Sequence, residues 1–156
     1  MLDPTQLANR LAAEWLRGDG LRYPDSVARS ADVFAGICSE WFAAAQAGPF
    51  PVVTALPRRP MLMSLAIPPL SAQDPSAAGN QLASAASLYI AGQVFSGGTA
   101  LPPAGTGAAG GMLAAAFSAR DLDREPRARL VATALHLLAL TTVVSFPFPP
   151  FVANVS

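Results

Sequence analysis

Lysine is absent from this chain, cysteine and histidine occur once each, and only 13% of its 156 residues are charged. A single cysteine excludes an intrachain disulfide, and Cys38 with His136 falls short of a usual structural zinc site. Neither a metal nor any other cofactor is expected. Ten arginines balance ten acids, so the chain lacks the net positive field that draws proteins onto nucleic acid or anionic lipid. Nucleic acid therefore drops out as a partner. There is no basic start followed by an apolar run, because Asp3, Arg10 and Glu14 occupy the first turns; this argues against a secretory signal peptide.

Charge is also missing regionally. Residues 75–119 and 130–156 hold none, whereas soluble domains average about a quarter of their residues charged. A small globule cannot coat such segments with its own charge, so a partner surface is the simplest cover, and zero net charge favours self-association. The expected partners are other protein subunits of one assembly, as a homo- or hetero-oligomer.

What is present reads as helix punctuated by proline and glycine. Asp3-Pro4 is a helix start, because Asp accepts from orphan amides and Pro at the first helical position gives up no needed donor. Leu7, Leu11 and Trp15 then recur every fourth residue until Gly18-Asp19-Gly20. A second helix is expected from Pro24-Asp25 to Ala47, with Val27, Ala31, Phe34, Cys38, Phe42 and Ala45 as its apolar stripe. Six prolines between Pro49 and Gln73 leave room only for a short helix over 60–67.

Asp74-Pro75 opens another helix, running to Gly97-Gly98, in which Ala83, Ser87 and Ala91 form a small-residue stripe where a second backbone can come close. Further helices are expected over 107–119 and 126–144. The ending Phe146-Pro147-Phe148-Pro149-Pro150-Phe151 reads as a polyproline-like tail, excluded from helix and from sheet interior. The expected fold is all-α: a single domain of four to five helices over 1–145 with extended Pro- and Gly-rich connections, and a Pro/Phe tail over 146–156.

Several patterns resemble chemistry without its context. Gly105-Thr106-Gly107-Ala108-Ala109-Gly110 carries the letters of a dinucleotide loop, but Thr99 to Pro103 is not the buried strand that must aim it. His136 sits among leucines, and nothing in the sequence places it beside Cys38 or a serine as a catalytic pair. No catalytic residue is assigned, and a small enzyme stays a secondary alternative. Arg58 and Arg59, stiffly held between Pro57 and Pro60, are candidates for gripping a carboxylate or phosphate of a partner. The uncharged run 130–146 approaches the length of a membrane span, but it contains His136 and three threonines and is followed by no basic anchor. A membrane-associated or tail-anchored protein is the first alternative.

The Ala-rich N-terminal helix pair, Leu101-Pro102-Pro103-Ala104-Gly105 ahead of a Gly/Ala helix, and the ending Thr142-Val143-Val144-Ser145-Phe146-Pro147 resemble small structural proteins encoded in the virion modules of tailed bacteriophages. The resemblance implies a part of a tail, baseplate, neck or capsid, assembled in the host cytoplasm and located in the virion. It brings no catalytic residues with it. The expected function is a non-catalytic subunit of a larger assembly, with Phe146, Phe148, Phe151 and Val152 seated in a partner's pockets. Truncation after Ser145 is expected to abolish incorporation while leaving helicity intact.

Overall fold

The computed structural model describes residues 1–16, 26–119, 121–147 and 150–156. Asp3 caps α1 (Pro4–Arg10) by accepting from the amides of Thr5 and Gln6. The helix continues as a π-helical turn, Leu11–Trp15, in which the Leu16 N–H donates to the Leu11 carbonyl at 2.8 Å. α2 (Val27–Phe42) is capped by Ser26, and β1 (Gln46–Ala47) pairs with β2 (Phe50–Pro51) as a hairpin.

The same order then recurs twice. α3 (Arg59–Ser71) and α4 (Pro75–Ile90) lead into β3 (Val94–Phe95) and β4 (Gly98–Ala100); α5 (Thr106–Ser118) and α6 (Arg124–Leu140) lead into β5 (Val143–Pro147) and β6 (Pro150–Asn154). The chain is three helix–helix–hairpin units with a period of about 50 residues.

The all-α expectation is overturned. Six helices and the π-helical turn make up 60% of the described residues and six antiparallel strands with their bridges 15%, so the fold is mixed α/β and not a helical bundle. The strands escaped notice because each hairpin is short and sits among alanines, prolines and glycines that carry no clear two-residue alternation.

The three hairpins close on one another. β3 to β6 form a four-stranded sheet, and β1–β2 joins both of its edges through the bridges Val52↔Phe95 and Ala47↔Val155. Equivalent hydrogen bonds mark the three joints: Val53 N–H to Val94 O at 2.8 Å, Leu101 N–H to Val143 O at 2.8 Å, and Ser156 N–H to Gln46 O at 2.9 Å. The result is a six-stranded ring without a free edge along these joints, which removes a template for edge-to-edge aggregation.

Side chains fill the ring in layers of three, one from each unit. Ala45, Gln93 and Thr142 form the layer next to the helices, all at 0%, 0% and 0% exposure. Ala47, Phe95 and Val144 form another, with Val52, Ala100 and Val155 between. Three equivalent positions share the space about one axis, so a large side chain from one unit requires smaller ones from the other two. Identity therefore differs from unit to unit at equivalent positions, which hides the repeat in the sequence.

The inner helices α2, α4 and α6 surround the same axis, and Phe34, Leu82 and Val131 are one of their equivalent buried sets. The outer helices α1, α3 and α5 wedge between them, each packing against the inner helices of its own and the preceding unit. Close passage requires small residues on the inner helix. At the α4–α5 crossing a Cβ on Gly79 would run into the backbone of Leu113 and Ala114.

Other expectations shift in detail. α2 ends at Phe42 rather than Ala47 and α4 at Ile90, because hairpins follow both. α3 runs through Pro68 and Pro69 in its last turn, where each forfeits an i→i−4 hydrogen bond and the helix ends at Ser71, close behind them. The run expected as one helix over 126–144 is divided between α6 and β5. The boundary expected at 145/146 falls inside β5, and the polyproline-like tail is instead the β5–β6 hairpin, with Pro147 and Pro150 at its tip beyond the interior of the sheet. The helix stop at Gly18-Asp19-Gly20 and the start at Pro24-Asp25 lie outside the described residues.

Candidate functional site

The end of the ring away from the helices is the surface that the fold leaves most unlike the rest. All three hairpins fall in segments with no charged side chain: 41–57, 75–119 and 130–156. Among the described residues, charge lies on the helices, at their caps and in the connections leading into them.

The hairpins differ in length. Pairing stops at Ala47↔Phe50 and Phe95↔Gly98 in the first two, whereas the third continues through Ser145↔Val152, Phe146↔Phe151 and Pro147↔Pro150. Its extension carries the aromatic residues over the barrel mouth. Phe146 stacks on Phe151 with centroids 4.4 Å apart and planes 4° apart, and Phe50 lies 4.8 Å from Phe146 and 5.9 Å from Phe151. Gly98 makes room for this, since a Cβ there would meet the Phe146 ring.

The expected anchors therefore separate. Phe146 is 4% exposed and closes its own barrel, so it is not presented to a partner. Phe151, on the same face as Phe146, is 37% exposed, and Val152, on the opposite face beside Ser145, is 66% exposed. Phe148 lies outside the described residues. Further apolar side chains reach solvent around the hairpins: Val53 and Leu56 at 53% each and Leu101 at 48%. Sequence reasoning passed over Phe50, Val53 and Leu56. The signal that could have found them is Pro49-Phe50-Pro51-Val52-Val53, which shares its Phe/Pro/Val make-up with Pro149-Pro150-Phe151-Val152.

Arg58 and Arg59 are engaged within the chain. Arg58 caps the end of α4, donating to the carbonyls of Ala91 at 2.9 Å and Leu88 at 3.4 Å, where a cation complements the helix dipole. Arg59 reaches back to α2 and pairs with Asp32 at 2.6 Å. Ala83 is fully buried in α4, the Thr106 hydroxyl of α5 meets the Ser87 hydroxyl at 3.1 Å, and Ala91 ends the helix with its N–H on the Ser87 carbonyl. α5 also passes close enough at Gly79, two turns before Ser87, to leave no room for a Cβ.

The chemistry-like patterns are absorbed by packing. The Gly105 N–H donates to the Thr141 hydroxyl at 3.0 Å and Gly110 lies against Asn80, so these two glycines face other helices while Gly107 between them is exposed. Cys38 is buried on the inner face of α2, and burial pushes its thiol well above the ordinary range. With Phe34, Trp41, Phe42, Tyr89 and Leu135 it lines an axial void with room for about one water molecule, too small for a substrate. His136 packs its ring on Trp41 at a centroid distance of 6.2 Å; its Nδ1 is buried with no protein partner.

Elsewhere, burial also raises the Tyr89 phenol, which donates to the Ala55 carbonyl at 2.8 Å. Glu14, with Glu40, holds the Arg10 guanidinium more firmly protonated than usual. Among the described residues, no cluster of His, Cys, Asp and Glu gathers as a metal site, and no helix is long and apolar enough to cross a membrane. Comparison with protein-family models, curated proteins and solved structures returns no match to this chain.

Proposed function

We propose that this chain is a non-catalytic subunit of a larger protein assembly, attached to other protein subunits through its uncharged hairpin pole. The observation that carries this reading is the third hairpin, which extends beyond the ring and presents Phe151 and Val152 in a segment without charge. Burying such side chains fully is worth about 1.5–3 kcal/mol each. A charge brought to this pole by a partner would be desolvated without an ion-pair partner there, so uncharged protein surface is the cover it suits. The β-hairpin lowers the ordering cost of docking, because Phe151 and Val152 are already held by pairing with β5.

The specific form of the reading is a component of a tailed-phage virion, in the tail, baseplate, neck or capsid. It rests on the sequence resemblance. Val152→Asp should remove the chain from the sedimenting particle or oligomer, while Leu122→Asp, at a 46% exposed position on the charged α5–α6 connection, should not. Circular dichroism establishes that both variants fold, and sedimentation with mass spectrometry of the particle reads incorporation. Equal incorporation of the two variants would overturn the reading.

A further inference from the structure

We infer that the junction where α6 meets the start of α1, which closes the helical ring, is a pH-sensitive latch controlled by His136. The repeat exposes the anomaly. Each inner helix turns an equivalent stripe toward the outer helix of the next unit: Ala31, Ala35, Ser39 on α2; Gly79, Ala83, Ser87 on α4; Ala128, Ala132, His136 on α6. Ser39 donates to the Gly36 carbonyl at 3.1 Å, and Ser87 shares a hydrogen bond with Thr106. At the third position a titratable ring replaces the small satisfied hydroxyl, and its buried Nδ1 has no protein partner.

The surroundings connect this ring to α1. His136 packs on Trp41, whose indole N–H donates at 2.9 Å to the carbonyl of Asp3, the residue that caps α1. A neutral imidazole leaves only an unshared acceptor at Nδ1, whereas protonation makes both nitrogens donors. A buried donor without an acceptor is costly, and ring rotation to reach water disturbs the Trp41–Asp3 contact.

Asp3 is the charged group whose field reaches the ring, and it favours the proton; burial opposes it and dominates, lowering the pKa. Of the other charges on facing elements, Arg10 and Glu14 on α1 and its π-turn and Glu40 on α2 are paired with one another, Asp32 on α2 is paired with Arg59, Arg29 lies in the first turn of α2, three turns from Trp41, α5 has none, and Cys38 and Tyr89 are buried neutral groups. The unfolded chain therefore binds the His136 proton more readily. Stability falls as the pH drops from about the ordinary histidine value of 6.5 toward the lower folded value. The equivalent α4–α5 junction has no titratable group and stays shut.

Amide hydrogen exchange at pH about 7.5 and about 5.5, corrected for intrinsic rates, reads the difference. Protection of residues 4–16 should fall several-fold on acidification relative to that of α5, and His136→Ser, which restores the residue type of the two sister positions, should abolish the fall. An equal loss in both regions, or a loss that persists in the variant, overturns the latch. The wild-type chain gives a check independent of the variant's folding: an NMR titration of His136 must show a pKa below the ordinary value, and a value at or above it overturns the inference.

Discussion

Phe146 and Gly98 fill one another's space at the barrel mouth, so each sets a limit on the other. Phe146→Ala should cost about 3–5 kcal/mol by urea unfolding, in the range of buried aromatic truncations. Phe151→Ala should cost clearly less, because that ring already meets solvent. At the α4–α5 contact, Ser87→Ala loses one hydrogen bond with Thr106 and should cost about 1 kcal/mol. Ser87→Leu overpacks the crossing by about 1–3 kcal/mol or more, and each kcal/mol lowers the melting temperature by about 2–4 °C in a chain of this size. An unchanged melting temperature for Ser87→Leu would mean that α5 yields freely at this point. The need for small residues was visible from Ala83 and Ser87 alone, but the demand for glycine at position 79 needed the partner helix to be in place.

Helices and hairpins are held together by different means. The two arginines at the start of α3 illustrate this, since Arg58 caps α4 from its own unit and Arg59 ties α3 to α2 of the preceding one. Arg59→Met should change stability by less than about 1 kcal/mol, because the pair with Asp32 is partly exposed and screened. Arg58→Met should cost more, since it leaves the carbonyls of Leu88 and Ala91 without their donor beside the helix end. Chemical denaturation of both variants checks the order. Helix starts were legible because Asp3-Pro4 and Asp74-Pro75 carry local capping chemistry. Helix ends were less so: the turns after Phe42 and Ile90 are imposed by hairpins whose strands have only two or three residues in these units.

The closed ring makes the whole molecule cooperative, because every unit borrows neighbours on both sides. A chain ending at Ser145 lacks β6 and with it the Ala47↔Val155 joint. It should therefore lose the cooperative thermal transition seen by circular dichroism, instead of keeping its helicity; an unaltered transition would show that the hairpins are dispensable. Point substitutions at Phe151 and Val152 are for that reason the cleaner probe of docking. By itself the sequence determined the absence of disulfides, the long uncharged segments, the capped helix starts and the demand for close helix contact. Those follow from composition and from interactions a few residues apart. Only the tertiary structure decided the threefold arrangement, the burial of Phe146 and the place of His136 at the closing junction. Around a shared axis the packing constraint falls on three distant positions together, and no single stretch of chain records it.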